Sequence, residues 1–165
     1  MKKLLLAVFL SVTSAFSASL GVLEVSPEIG LSGGKISSNG YNPNNYGAYA
    51  RIWLGTFGFV VAPQAKIDFY SQKYGGDSVN NGQYGASIGT NFGLGVRLTP
   101  YVGANYSSFN KVFSDTWALN AGLKVKFPVL PLALSFQYTY QNPELVGTNT
   151  THTMHNVQFL LGLHF

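Results

Sequence analysis

The sequence predicts an all-β chain folded as an eight-stranded antiparallel up-and-down transmembrane β-barrel. Three observations carry this. Eight segments alternate apolar and polar residues with a period of two, the signature of strands with one apolar face. Tight turns and long polar loops take turns between them, as in a meander that crosses a membrane and returns. The last segment places Val157, Phe159, Leu161, Leu163 and Phe165 on one face, with Gln158, Gly162 and His164 among the residues between. Composition agrees, because 12 Phe, 10 Tyr and 19 Gly stand against only 10% charged residues, a mixture suited to lipid rather than water. With 0 Cys, an exported chain of this size must be held by hydrogen bonding or by its surroundings.

Residues 1–19 read as a cleaved secretory leader: Lys2 and Lys3, an apolar run from Leu4 to Leu10, then small residues from Ala15 to Ser19. That run is too short to span a bilayer as a helix, which needs about 20 residues. Residues 20–165 form the barrel domain, with Leu20 as the expected mature start. The first segment places Leu23, Val25, Ile29 and Leu31 opposite Glu24, Ser26, Glu28 and Gly30. The second places Tyr46, Ala48, Ala50, Ile52 and Leu54 opposite Gly47, Tyr49, Arg51 and Trp53, the tryptophan being an exception near a strand end. In the third, Phe57, Phe59, Val61, Ala65, Ile67 and Phe69 oppose Gly58, Gln64, Lys66, Asp68 and Tyr70. The fourth runs from Tyr84 through Ala86, Ile88, Phe92, Leu94 and Val96 to Leu98. The fifth, Val102, Ala104 and Tyr106 against Gly103, Asn105 and Ser107, is the weakest. The sixth sets Trp117, Leu119, Ala121, Leu123, Val125 and Phe127 against Asn120, Gly122, Lys124 and Lys126. The seventh sets Leu132, Leu134, Phe136, Tyr138 and Tyr140 against Ala133, Ser135, Gln137, Thr139 and Gln141, and the eighth ends the chain.

Turns are expected at Gly55-Thr56, Thr99-Pro100 and Pro128 to Pro131, and long loops at 34–45, 71–83, 110–116 and 142–151. An even strand count puts both termini on the short-turn, periplasmic side and the long loops outside the cell. Volume decides which face meets lipid: an eight-stranded barrel encloses space for few side chains, so the bulky Phe, Tyr and Leu set goes outward. Aromatics near strand ends make two girdles, Tyr46, Phe69, Tyr84, Trp117 and Tyr140 at one end and Phe57, Phe127 and Phe165 at the other. Pro27 and Pro63 each remove a ladder hydrogen bond, and a bulge or kink is expected at both.

Without Lys2 and Lys3 the chain carries 8 Lys plus Arg against 6 Asp plus Glu, too even a balance for nucleic-acid binding. The inward face gathers Glu24, Glu28, Arg51, Lys66, Asp68, Arg97, Lys124 and Lys126, which must pair in so confined a space. An ion-pair network across the lumen is expected, with Arg51 adjoining Glu24 and Glu28 of strand one and, in turn, Lys66 and Asp68 of strand three, while Lys124 and Lys126 approach across the lumen. Gln64, Asn91, Asn105, Asn120 and Gln137 supply further hydrogen bonds. Such a network fills and rigidifies the interior; the alternative is a narrow gated pore that leans towards anions through its basic excess.

The leader, the eight segments and the run from Val157 to Phe165 resemble the small bacterial outer-membrane β-barrels of the OmpX and OmpA-transmembrane-domain type. The resemblance covers the whole mature chain. It implies a monomer in the bacterial outer membrane, surrounded by lipid and lipopolysaccharide. It also implies that Phe159, Leu161, Leu163 and Phe165 form the signal read by the barrel-assembly machinery. Members serve as structural proteins, adhesins, narrow pores or lipid-modifying enzymes. No periplasmic domain is expected after Phe165.

An enzyme would need a nucleophile beside a positioned histidine. The lipid A deacylases carry a His-x-Ser pair on the outer face, but here Asn156 and Val157 follow His155, so an acyl hydrolase is disfavoured. His152 and His155 are expected to be solvated or interfacial, and two histidines do not make a metal site. No cofactor is implied. Asn149-Thr150-Thr151 matches a glycosylation acceptor but reads as loop sequence. The loops balance Lys35, Lys73 and Lys111 against Asp77, Asp115 and Glu144 and carry Tyr41, Tyr74, Asn44 and Asn45, residue types that surface-recognition loops use.

Overall fold

Period-two alternation becomes eight long strands: β1 (Leu23–Ser37), β2 (Asn44–Thr56), β3 (Phe59–Tyr70), β4 (Asn80–Thr90), β5 (Arg97–Phe109), β6 (Thr116–Lys126), β7 (Leu132–Gln141) and β8 (Met154–His164). The computed structural model describes residues 19–20, 23–93, 95–127, 129–148 and 150–165. The expected leader lies outside that range up to residue 18, as do Leu94, Pro128 and Asn149. Each strand pairs antiparallel with the next, and β8 pairs with β1 from His155↔Ser37 to His164↔Glu28, so the sheet closes with no free edge. Closure satisfies the backbone within the wall, which a lipid surrounding requires.

The two faces separate as the volume argument requires. Leu31, Phe59, Ile88, Trp117, Leu119, Phe159 and Leu161 are exposed on the outside, while Ser26, Glu28, Asp68, Asn105, Asn120, Gln137 and Gln158 are buried inside. At the long-loop end the outward aromatics form pairs, Tyr46 stacked on Phe69, and Tyr84, Tyr106 and Trp117 in a row.

Several boundaries depart from the sequence reading. The first turn is Phe57-Gly58 rather than Gly55-Thr56; both residues have positive φ (49° and 84°), the geometry of a two-residue hairpin turn. Phe57 therefore belongs to the turn. The fourth segment's alternation conceals a second turn: β4 ends at Thr90, and Phe92–Gly93 already pairs back onto Arg97 and Leu98. Thr99 and Pro100, read as a turn, lie inside β5, which makes the supposedly weakest segment 13 residues long. β1 runs on through Gly33 and Gly34 to Ser37, where a loop was expected from residue 34. No register shift occurs at either proline. Pro27 stays paired with Ile52, and at Pro63 the β2–β3 pairing lapses only between Arg51↔Gln64 and Leu54↔Val61, which share one register.

Candidate functional site

The inward residues of neighbouring strands meet in layers rather than in one network. Nearest the long loops, Lys66 on β3 pairs with Asp68 at 3.0 Å. Gln158 on β8 ties both: its side-chain oxygen accepts from Lys66 Nζ at 2.6 Å and its amide donates to Asp68 Oδ1 at 3.0 Å. Ser32 on β1 donates to the same Asp68 oxygen at 3.3 Å.

The middle layer centres on Glu28, which is fully buried. Tyr49 donates to its Oε1 at 2.7 Å, the indole of Trp53 donates to Oε2 at 2.8 Å, and Lys124 on β6 pairs with Oε2 from across the lumen. Trp53 is thus no misplaced apolar residue; its N–H has a carboxylate partner. Room for these rings comes from glycines, since a Cβ at Gly162 would meet Tyr49 and Glu28, and one at Gly122 would meet the Tyr101 ring at 2.5 Å. Tyr101 is itself buried, donates to Gln137 Oε1 at 3.0 Å, and packs with Trp53, Val60 and Ala62.

Arg51 departs from the expectation. It forms no ion pair with Glu24 or Glu28, and Gln64 rather than Lys66 or Asp68 lies opposite it on β3. Its guanidinium instead sits against aromatic faces, 4.5 Å from the ring centre of Tyr49, 5.5 Å from Tyr101 and 5.7 Å from Trp53. The reason is that Glu28 already accepts from Tyr49, Trp53 and Lys124. At the short-turn mouth, Glu24 pairs with Arg97 and lies 3.9 Å from Lys126, which donates to Ser26 at 3.0 Å. Amides and hydroxyls fill the remaining lumen. Gln64 donates to Ser87 and Asn105, Ser87 to Asn120, and Thr99 to Asn91.

Above the lumen the long loops fold inward. Ile36, Tyr41, Tyr70, Val79, Phe109, Val112, Phe113 and Met154 form a second, apolar core, with Tyr74 and Leu145 packed against it. Tyr41 donates to the Gln72 carbonyl at 2.7 Å. Burial, with the adjacent Tyr74 adding to it, pushes the Tyr41 hydroxyl up to about 12. Tyr41 and Tyr74 are therefore parts of a cap rather than free contact residues, and Asn45 is buried within β2, leaving Asn44 exposed. His152, expected to be solvated, is buried between Tyr74 and Phe113 with the Tyr74 hydroxyl 3.2 Å from Nε2. His155 does face outward, where its Nδ1 meets the Tyr138 hydroxyl at 2.5 Å. No group of three or more His, Cys, Asp or Glu side chains able to hold a metal occurs among the described residues.

The cap escaped the sequence reading because its residues come from four separate loops and strand ends without any shared period. Tyr101 escaped because Thr99-Pro100 imitated a turn.

No protein-family model and no curated protein matches the sequence. Among solved structures the chain is similar to the crystal structure of Neisserial surface protein A, with a TM-score of 0.64 at 17% identity over 85% of this chain and 95% of that one. The fold is that of an outer-membrane barrel. The crystal structure of Ail, the attachment invasion locus protein of Yersinia pestis, aligns with a TM-score of 0.54 at 16% identity over 87% of this chain and 99% of that one. Phe159, Leu161 and Leu163 lie on the lipid face of this barrel, and the Phe165 N–H donates to the Pro27 carbonyl at 2.9 Å.

Proposed function

We propose that this chain is an integral protein of the bacterial outer membrane, of structural or surface-interaction type, closed to solutes and without enzymatic activity. The observation that carries the reading is the obstruction of the barrel interior. Buried side chains bridge the lumen between Glu28 and Lys124, and again between Asp68 and Gln158, beneath a packed aromatic cap. The short turns and both termini then face the periplasm, residues 1–19 are removed on export, and Phe159, Leu161, Leu163 and Phe165 are presented to the barrel-assembly machinery. The protein is a monomer among lipid and lipopolysaccharide. Its contact surface is what the cap leaves exposed, including Asn42, Lys73, Lys111 and Val146.

The names of the two similar structures, a surface protein and an attachment protein, support a surface role here, although each describes that protein alone. Single-channel recording of the refolded mature protein in a planar bilayer, beside Arg51→Ala, tests the reading. A silent bilayer from folded wild type is expected; discrete wild-type openings altered by the substitution would replace it with a gated, anion-leaning pore.

A further inference from the structure

The outer wall carries an apolar groove that ends beside an unmatched cation. On the face turned to lipid, β1, β8, β7 and β6 present two neighbouring rows of side chains. Gly33, Phe159, Phe136 and Leu123 form the row nearer the long loops, and Leu31, Leu161, Leu134 and Val125 form the next. A groove of about 530 Å³ lies between the rows. Water takes about 30 Å³ per molecule and a methylene group is of similar size, so the space holds on the order of 15 methylene groups, an acyl chain rather than a single methyl. At the β1 end the upper row lacks a side chain, because a Cβ on Gly33 would have nothing within 4 Å. The groove therefore opens towards the long loops through a gap between Tyr46 on β2 and Phe159 on β8, the two partners of Gly33.

Next above that gap, on the same face of β1, stands Lys35. Two residues along a strand advance about 7 Å, which puts Lys35 just beyond the aromatic girdle marked by Tyr46, where lipid headgroups begin. It is exposed, its strand partners are Asn44 and Val157, and among the described residues it takes part in no ion pair. Asn44 and Ser37, likewise exposed on this face, add hydrogen-bonding groups around it.

We propose that this groove and Lys35 together bind one molecule of lipid A, the phosphorylated and acylated part of lipopolysaccharide. One acyl chain lies in the groove, leaves it over Gly33, and brings a phosphate to the Lys35 ammonium, which donates to the phosphate oxygens. Charge and place select the occupant. The apolar groove calls for an acyl chain and the unmatched lysine for an anionic headgroup. The choice of lipid A rests on the reading given above, in which the long loops face the cell exterior and lipopolysaccharide surrounds them.

The test is native mass spectrometry of the folded protein in detergent, incubated with an equimolar mixture of lipid A, phosphatidylglycerol and phosphatidylethanolamine; heat-dependent gel migration identifies folded material for every variant. Wild type should retain one lipid A in preference to either phospholipid. Lys35→Gln should weaken that retention about 10- to 100-fold, the span of one hydrogen bond to a charged group. Gly33→Leu, which fills the gap and leaves Lys35 in place, should also lose the preference. Lys73→Gln in an exposed loop and Ala86→Leu, exposed on the opposite wall at β4, should bind as wild type does. Equal retention of the three lipids, or a preference for lipid A that survives either Lys35→Gln or Gly33→Leu, overturns the site. A Lys35-dependent preference for phosphatidylglycerol overturns the choice of lipid A, and wild type that retains no lipid overturns the site outright. Each of these failures is distinct from failure of the closed barrel, which conductance reads.

Discussion

Replacing Phe113 by alanine should loosen the cap while leaving the barrel intact. Phe113 is 2% exposed, and its ring centre lies 5.2 Å from Tyr74, 5.5 Å from Phe109, 5.6 Å from His152 and 6.4 Å from Tyr41. It therefore joins loops that the strands themselves hold only at their roots. A buried Phe→Ala change costs about 3 to 5 kcal/mol, and the lower figure applies because loop neighbours can partly collapse into the space. At 1.4 kcal/mol per factor of ten, about 3 kcal/mol raises the fraction of open cap about 100-fold. Lys73 and Lys111 lie beside the cap residues Tyr74 and Val112, so tryptic cleavage after them reports on opening directly. When opening and closing are fast relative to cleavage, the rate follows the open fraction. Cleavage after these lysines should rise by about that factor, with the barrel's unfolding midpoint within a few degrees of wild type. An unchanged cleavage rate, or a midpoint that falls in step with it, would refute a cap that is separable from the barrel.

Three further outcomes follow from the same geometry. Glu28→Gln removes the partner of buried Lys124 and should destabilise the barrel by about 3 to 5 kcal/mol; the double change with Lys124→Met should cost less than the two single changes together, as a cycle of unfolding midpoints would show. Gly162→Ala should lower the midpoint because its Cβ would meet Tyr49 and Glu28, whereas Gly33→Ala, with nothing within 4 Å of its Cβ, should be tolerated; equal effects would contradict the assigned faces. For Tyr41 the sign is set by a hydroxyl that keeps its proton to about 12 in the closed cap, against about 10 when the loops are open. Its contribution is complete below about pH 10 and lost as pH climbs to about 12, so aromatic circular dichroism of the cap should fade over that window, and less in Tyr41→Phe.

The barrel was legible because period two, strand count and loop alternation all report the same meander, and because bulky residues cannot share so small an interior. Inward positions such as Glu28, Lys66 and Lys124 follow from parity alone. Partner choice does not follow from parity. Glu28 and Arg51 are paired across β1 and β2, yet Tyr49, Trp53 and Lys124 fill the carboxylate first. The turn between β4 and β5 was hidden because Phe92, Val96 and Leu98 keep the alternation going through it. The cap was hidden because tyrosines in polar loops look alike whether they stand in water or fold over one another.

Tyr49 also bears on how the cylinder is completed. It reaches from β2 past Gly30 of β1 to Gly162 of β8, the two glycines being direct partners across the closing seam, and its hydroxyl ends on Glu28. A slip of two residues along that seam would keep every side chain on its proper face and lose backbone bonds only at the ends of the ladder, so parity cannot prevent it. It would, however, bring Leu160 or His164 to the place of Gly162, beneath a ring that tolerates no side chain there. One tyrosine outside the seam thereby checks the register of closure, and a barrel closed in the wrong register could not seat it.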